Sequence, residues 1–599
     1  MLQKITSSHG QPLFDAAATR RIEEQAASTL PPHTLMHRAG LAVARLSLAL
    51  APHAKCIWIA CGPGNNGGDG FTAALHLHQW GKQVTVTCIE PGGKGLPADA
   101  AAARRRAEAA GVRFAAQPPP HFDFCIDALL GPGRTAALPG KGRTAALPEE
   151  PDGAAHPRPG TAQMLAWLEI MRASFAPRLA VDVPTGLDGD AGTLGRELAG
   201  TLAEVSGQDA PRMKNPSSSQ KESEGAMYSG AACARITSAR AVFTLSLLTL
   251  KPGLLTAQGK DVAGEVWFDS LDVSPVGEPP SATMLGADGV APVGRLHRLS
   301  AAHSAHKGVF GDVAVVGGHS AGNSHMVGAA LLAAQAALHA GAGRVFVSLL
   351  EQDPEQNSEQ KSEQKSRNVP GQSRILTVDT FQPELMFRNI EALDLATCTV
   401  VCGCGGGSSV KAVLPHILRM ARQLVLDADA LNAIAADAAL VKLLKARSSV
   451  GVTPPGAAKT ILTPHPLEAA RLLGTTAATV QSDRLGAARQ LAEMTGAVVV
   501  LKGSGTVTCT PNYADDADDA SYAGISRFTS CINSTGNPLL ATAGTGDVLA
   551  GMVGAQMAHG LPAFDAACSA VFAHGKIADH WEQTHPGKAL TASRLARAI

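Results

Sequence analysis

The chain reads as an α/β protein of two domains, each a parallel sheet covered by helices on both faces. Three observations predict this. From Lys55 onward, short β-branched or apolar runs alternate with alanine-rich helical stretches, the rhythm of successive βαβ units. A Pro/Gly-rich, weakly patterned stretch from Val273 to Pro292 interrupts that rhythm, which then restarts. And 599 residues are too many for one ordinary domain.

In the first half the apolar runs Cys56–Cys61 and Gln83–Ile89 predict strands, with helices over Phe71–Trp80 and Ala98–Ala110. Further strands are expected at Phe124–Asp127 and Leu179–Val183. The second half repeats the pattern with strand Asp312–Gly318, helix Gly328–Ala340, and strands near Val345, Val400, Leu424 and Val498. The expected division is a domain over 1–275, a linker over 276–298 and a domain over 299–599. Three segments break the pattern: Pro216–Gly225, Glu351–Ser373 and Pro511–Gly524. Their low apolar content cannot offset the entropy of ordering, so they are expected as mobile loops. The heptapeptide Gly133–Pro139 recurs at Gly142–Pro148, a local duplication within a loop.

Composition excludes several classes of function. Lys plus Arg and Asp plus Glu each number 51, so the basic footprint of a nucleic-acid binder is missing. Aromatic residues are only 4%, which argues against base-stacking platforms. No apolar run is long enough to span a bilayer and Met1–Gly10 has no signal-peptide character, so a cytoplasmic protein with no membrane or nucleic-acid partner is expected. The eleven cysteines are scattered through apolar runs, which predicts buried free thiols. Cys402 and Cys404 lack companions at zinc-ligand spacing, so no structural zinc is expected.

Polar glycine turns follow three strands of the first half. The run Gly62-Pro63-Gly64-Asn65-Asn66-Gly67-Gly68-Asp69-Gly70 stands after Cys61, at the carboxyl end of a strand, where open α/β sheets bind ligands. Its glycines free backbone N–H groups for a diphosphate, although the order matches neither the dinucleotide fingerprint nor the Walker loop. Asp127-Ala128-Leu129-Leu130-Gly131-Pro132-Gly133 and Asp182-Val183-Pro184-Thr185-Gly186-Leu187-Asp188 are the other two.

Together these strings resemble the NAD(P)H-hydrate epimerase domain, with supporting matches at Leu35–Gly40 and Leu250–Leu255; the resemblance covers roughly Phe14 to Val273. It implies a Rossmann-like three-layer αβα domain. It also implies that Asn66, Asp127 and Thr185 hold K+, and that Asn65, Asn66, Gly67, Gly68, Asp69, Gly131, Pro132, Gly133, Arg134 and Asp182 contact a hydrated nicotinamide nucleotide. Hard oxygen ligands suit such a cation. Asp182 is the candidate for moving a proton during inversion at the hydroxylated ring carbon, against the plainer reading of a turn aspartate. The duplicated heptapeptide departs from the family's pattern beside the nucleotide loop.

In the second half Ala543-Gly544-Thr545-Gly546-Asp547 leads into the helical run Val548–Val553. A glycine turn at a helix N-terminus brings N–H groups and partial positive charge to an anion, and here delivers a carboxylate beside it. Lys502-Gly503-Ser504-Gly505-Thr506 follows the strand Ala497–Leu501, while Leu426–Asn432 and Leu462–Glu468 are further strand ends with polar groups. His465, taken alone, reads as a structural histidine.

The set resembles the ribokinase-like fold and, more narrowly, ADP-dependent NAD(P)H-hydrate dehydratase, over about Leu299 to the end. The family's Gly-Pro-Gly-Leu-Gly turn appears here as Gly403-Cys404-Gly405-Gly406-Gly407. The resemblance implies that Ala329, Gly405, His465 and Asp547 contact the hydrated substrate and that Lys502, Gly503, Ser504, Gly505, Thr506 and Gly546 bind ADP. Gly544, Thr545 and Gly546 would form an anion hole. Asp547 would take the proton of the ring hydroxyl as it attacks the terminal phosphate of ADP, Mg2+ would bridge the phosphates, and phosphate would then leave. A homo-oligomer is expected. Two alternatives stay open: a ribokinase-like small-molecule kinase, and an N-terminal half that is a non-catalytic nucleotide-binding scaffold.

Overall fold

The computed structural model describes residues 1–91, 95–132, 161–195, 242–294, 302–321, 324–351, 378–449, 459–512 and 527–599. The three expected mobile segments lie outside them, apart from Glu351, which ends a strand, and Pro511 and Asn512 at the end of another; the duplicated heptapeptide lies wholly outside. The fold divides into two compact units. The first comprises Met1–Ile5, Phe14–Leu254 and Gln258–Glu278, and the second Thr6–Leu13, Leu255–Ala257 and Pro279–Ile599.

Two short strands, β1 (Gln3–Lys4) and β2 (Gln11–Leu13), open the chain. The first unit then supplies β3 (Cys56–Cys61), β4 (Gln83–Cys88), β5 (Arg113–Ala115), β6 (Phe124–Ala128), β7 (Arg178–Val181), β8 (Val242–Leu247) and β9 (Glu265–Asp269). They form one sheet in the order β1-β9-β8-β7-β6-β3-β4-β5, parallel throughout except where β1 runs against β9. Strand β3 shows why the sheet must be covered twice. Ile57, Ile59 and Cys61 enter one apolar cluster, while Trp58 and Ala60 enter another with Trp167 and Met171. A period of two with apolar residues on both sides is the mark of a strand buried on both faces. Strand β7 stops at Val181, shorter than expected, because Asp182 leaves extended conformation at φ 67°.

The second unit adds β10 (Ala282–Met284), β11 (Asp312–Ala321), β12 (Ser324–His325), β13 (Arg344–Glu351), β14 (Met386–Phe387), β15 (Thr399–Cys402), β16 (Gln423–Leu426), β17 (Thr460–Leu462), β18 (Val498–Leu501), β19 (Val507–Pro511) and β20 (Phe528–Ile532). The sheet runs β14-β13-β11-β15-β16-β17-β18-β19-β20-β10-β2, with β12 folded back on β11. From β14 to β18 it is parallel; β19 is antiparallel to both neighbours, β10 runs parallel to β20, and β2 antiparallel to β10. The two α/β layered domains are therefore present, but their limits differ from 1–275 and 299–599. The stretch read as linker contains β10, and residues 6–13 leave the first unit to lie beside it, because backbone pairing there satisfies N–H and C=O groups that a free linker would leave to water.

The helix Thr545–Ala558 sits at the centre of the second unit, with eleven buried residues. It approaches the helix Val327–His339 closely: a Cβ at Gly551 would stand 2.0 Å from the Ala333 carbonyl oxygen. That approach fixes where the N-terminus of Thr545–Ala558 points. Gly551→Val is expected to destabilise the second unit by roughly 2–4 kcal/mol through overpacking, seen as a lower urea midpoint for that unit's transition; an unchanged midpoint would show that the helices can separate freely.

Candidate active sites

In the first unit the expected glycine turn is already helical. Helix Asn65–Gln79 begins at Asn65, so Asn65, Asn66, Gly67, Gly68 and Asp69 form its first turn and its unpaired N–H groups face the carboxyl ends of the strands. Around it a cavity of about 640 Å3 is lined by Asn65, Asn66, Asp69, Gly131, Pro132 and Asp182, among others. The other wall comes from the helix Ala16–Thr29 and the segment leading into Thr34–Leu50, including Thr19, Glu23 and His33, none of which was singled out in the sequence. Gly133 and Arg134 lie outside the described residues.

Asp127, at the end of β6, is buried with Asn66 and Thr185. Thr185 donates from Oγ1 to Asp127 Oδ1 at 2.7 Å and from its backbone N–H to Oδ2 at 3.1 Å, and the Leu130 N–H donates to Thr185 Oγ1 at 3.0 Å. Asn66 Oδ1 faces Gly131, whose Cβ position would be 3.8 Å away, and Asn66 Nδ2 is buried without a hydrogen-bond partner. Asp127 makes no ion pair among the described residues. An oxygen-only donor set around an uncompensated buried carboxylate fits a monovalent cation.

Asp182 is held differently. Its Oδ1 accepts from the Leu247 N–H at 3.0 Å and from Lys251 Nζ, and Lys251, with no exposed surface, also donates to the Leu247 carbonyl at 2.7 Å. A non-glycine residue at φ 67° is strained, and these bonds together fix it there. Lys251 stands within the Leu250–Leu255 match without a role in the sequence analysis; its signal is a single charge inside the apolar run Leu247–Leu255. Across the cavity, burial pushes the Asp69 carboxyl well above the usual carboxylate range, with Asp182 and Glu23 adding repulsion. Glu23 is likewise raised, by burial first and then by Asp182. An aspartate paired with a lysine beside carboxyls of raised proton affinity is an acid–base arrangement.

In the second unit four strand or helix ends meet. Asp427 follows β16 and is buried; Thr463 Oγ1 donates to its Oδ1 at 2.7 Å and Lys502 Nζ, following β18, pairs with the same oxygen at 2.6 Å. Lys502 also stands 4.0 Å from Glu468. Burial opposes the lysine's charge, but Asp427 and Glu468 outweigh it and hold the ammonium above its ordinary range. The next residue, Ala428, adopts φ 49°, the second non-glycine strain at a strand end beside an acid.

Asp547 is the third residue of helix Thr545–Ala558, which begins three residues earlier than the sequence suggested, so Gly544, Thr545 and Gly546 lie at its N-terminus. The Thr545 carbonyl accepts from His574 Nε2 at 2.9 Å, and burial lowers that histidine to about 4, keeping it a neutral donor. Cys404 Sγ and carboxylate oxygens of Asp427 and Asp547 all lie within 4.8 Å of one another. Gly405, at φ 58°, sits where a side chain would strike Ala329 at 2.8 Å, so these two expected substrate contacts adjoin. A Cβ at Gly546 would be 3.4 Å from Lys502 Nζ. His465 is primarily a cap: its Nδ1 accepts from the Leu467 and Glu468 amides, and Nε2 stands 3.2 Å from Glu468. Burial, then Lys502, lowers its proton affinity. Within the Gly503–Thr506 turn, the Ser504 and Gly505 carbonyls accept from the Thr256 hydroxyl.

Burial, followed by the charge of Asp427, pushes the Asp547 carboxyl up to about 7. An unfolded aspartate loses its proton near 3.9, so the folded state holds this proton more tightly and stability falls as pH rises from about 4 to about 7. Asp547→Asn removes that loss. The variant is expected to be more stable than the parent at pH 8 by roughly 2–4 kcal/mol, with the advantage vanishing towards pH 4, as read from urea midpoints at the two pH values.

Comparison with known proteins finds relatives of both halves of the chain. A family model described as NAD(P)H-hydrate dehydratase matches residues 314–599, and one described as YjeF-related protein N-terminus matches residues 32–203. The ADP-dependent (S)-NAD(P)H-hydrate dehydratase of Neisseria meningitidis serogroup B is 39% identical over 46% of this chain and 79% of its own. Among solved structures, the ADP/ATP-dependent NAD(P)H-hydrate dehydratase from Bacillus subtilis, co-crystallised with ATP and Mg2+, aligns with 50% of this chain and 91% of its own at 26% identity, with a TM-score of 0.35. The bifunctional NAD(P)H-hydrate repair enzyme Nnr of Escherichia coli is 30% identical over 94% of this chain and 88% of its own. Carrying both halves in one polypeptide, the chain belongs to the family of bifunctional NAD(P)H-hydrate repair enzymes.

Proposed function

We propose that the first unit interconverts the R and S epimers of hydrated NADH and NADPH, and that the second dehydrates the S form with conversion of ADP to AMP and phosphate. The observation that carries this reading is a lysine-buttressed aspartate at a strand end in each unit, Asp182 with Lys251 and Asp427 with Lys502, each beside a carboxyl whose proton affinity is raised. A kinase for a small molecule would need only the second of these.

In the first unit, Asp182 is the ionised partner that accepts a proton at the hydroxylated ring carbon, and Asp69 lies across the cavity as a proton donor. Asn66, Asp127 and Thr185 would hold K+, which supplies a fixed positive charge for the nucleotide's phosphate. The first turn of Asn65–Gln79, with Gly131 and Pro132, would receive the diphosphate.

In the second unit, Asp547 accepts the proton of the ring hydroxyl as that oxygen attacks the terminal phosphate of ADP. A base with a pKa of about 7 is near the optimum for such a transfer at neutral pH. The Gly544, Thr545 and Gly546 amides face the transferring group, and Lys502 with the Gly503–Thr506 turn faces the nucleotide. Mg2+ would take its ligands mainly from the nucleotide phosphates and neutralise their charge. The ring nitrogen then expels phosphate, a better leaving group than hydroxide, which leaves an iminium cation, and loss of a proton from the adjacent ring carbon, with the departing phosphate as an available base, restores the dihydronicotinamide.

The first test is recovery of dihydronicotinamide absorbance from a mixture of both hydrate epimers with ADP, Mg2+ and K+. Complete ADP-dependent recovery is expected. Recovery that stops at the fraction of one epimer would remove the epimerase assignment, and none would favour the kinase or scaffold. Asp547→Asn is expected to lower dehydration at least 1,000-fold, on the order of a lost general base with its positioning, and to spare epimerisation, while Asp182→Asn does the reverse. Loss of both activities in either variant would sink the two-site assignment. Replacing K+ with choline is expected to slow epimerisation alone, and Asp127→Asn to abolish that dependence.

A further inference from the structure

The Cys404 side chain occupies a position that the dehydration chemistry described above does not use. It has no exposed surface, and its Sγ lies within 4.8 Å of carboxylate oxygens of both Asp427 and Asp547. The turn carrying it is pinned on both sides: the Gly318 N–H donates to the Cys404 carbonyl at 3.0 Å, and the His319 N–H to the Gly405 carbonyl at 2.6 Å. Burial, then the charges of Asp547 and Asp427, push the thiol well above its ordinary range, which favours its neutral form. A neutral thiol has one proton to give, and carboxylates are the acceptors beside it. Asp427 Oδ1 already receives Thr463 and Lys502, which leaves the Asp547 carboxylate, within 4.8 Å of the sulfur, as the acceptor for the thiol.

We infer that Cys404 is a positioning residue for Asp547: its S–H donates to the carboxylate, aims it from the turn after β15, and favours the ionised form that can act as a base. The inference rests on the reading of Asp547 as the base. The charged and titratable groups facing Asp547 are Asp427 and Asp429, which raise its proton affinity, Lys502, which lowers it, and the thiol, which lowers it too. Removing the thiol therefore leaves burial and the two aspartates less opposed.

The test is the pH profile of ADP-dependent dehydration by the full chain, compared among the parent, Cys404→Ala, Cys404→Ser and Asp547→Asn. In Cys404→Ala the acidic limb is expected to move up by roughly half a unit to one unit, which is a three- to tenfold loss of kcat/KM near pH 6 with little change at pH 9. Cys404→Ser, which restores a donor, is expected to return the limb to the parent position. Each limb is read within one preparation, so a fraction of unfolded enzyme scales the curve without moving it. An unmoved limb in Cys404→Ala, or a limb in Cys404→Ser that moves as far as in the alanine variant, would overturn the positioning role while leaving Asp547 as base. Activity retained in Asp547→Asn would instead overturn the reading on which the inference stands.

Discussion

The constraint on which both sites depend is the cost of burying an aspartate at the end of a parallel strand. An unpaired carboxylate in such a place would take a proton or unfold its surroundings. Asp182 and Asp427 avoid this in the same way, each by a lysine from a later segment: fully buried Lys251, and Lys502 in the turn after β18. Further bonds fill the remaining directions, from the Leu247 N–H in one case and the Thr463 hydroxyl in the other. The backbone beside each acid is then held in a left-handed conformation, at Asp182 itself and at Ala428. Strain of that kind persists only where surrounding bonds over-determine it, and the ion pairs supply that over-determination.

The carboxyls with raised proton affinity follow from these pairs. Once Asp182 is anchored as an anion, Asp69 feels a negative charge across a sheltered cavity in addition to its own burial, and both act in one direction. Asp547 stands in the same relation to Asp427, whose charge Lys502 offsets only in part. A fixed anion thus raises the proton affinity of a neighbouring acid and sets the two groups apart. Asp127 is the contrast: it is buried beside Asn66 and Thr185 with hydrogen bonds but no lysine or arginine paired to it among the described residues, which is why a cation is the natural complement there.

How much of this was legible in the sequence depended on the range of the interaction. Strand β3 was read at its observed limits, since six apolar residues between a lysine and a glycine turn are a local signal. The glycine turn after it was read as a loop although it is the first part of a helix, because glycine has low helix propensity and only the tertiary context overrides it. Strands β2 and β10 were missed: each is three residues long, and what defines them is pairing between segments some 270 residues apart. The acids Asp127, Asp182 and Asp547 are candidates in the sequence because motif spacing marks them. Lys251 and Glu23 were not assigned to the site, because burial of one and the cavity position of the other come from elements distant in the chain.

That asymmetry has a physical origin. A strand end followed by glycine and an acid is written in consecutive residues, so the reacting group of an α/β enzyme lies near the surface of its sequence. The groups that set its protonation arrive from other strands: Lys251 beyond β8, Lys502 beyond β18, Cys404 beyond β15. In a parallel sheet every strand delivers its carboxyl end to the same edge, so residues far apart in sequence converge there without any shared motif. The acid's identity is therefore local information, whereas its strength as acid or base is a property of the sheet order, and only the folded chain expresses it.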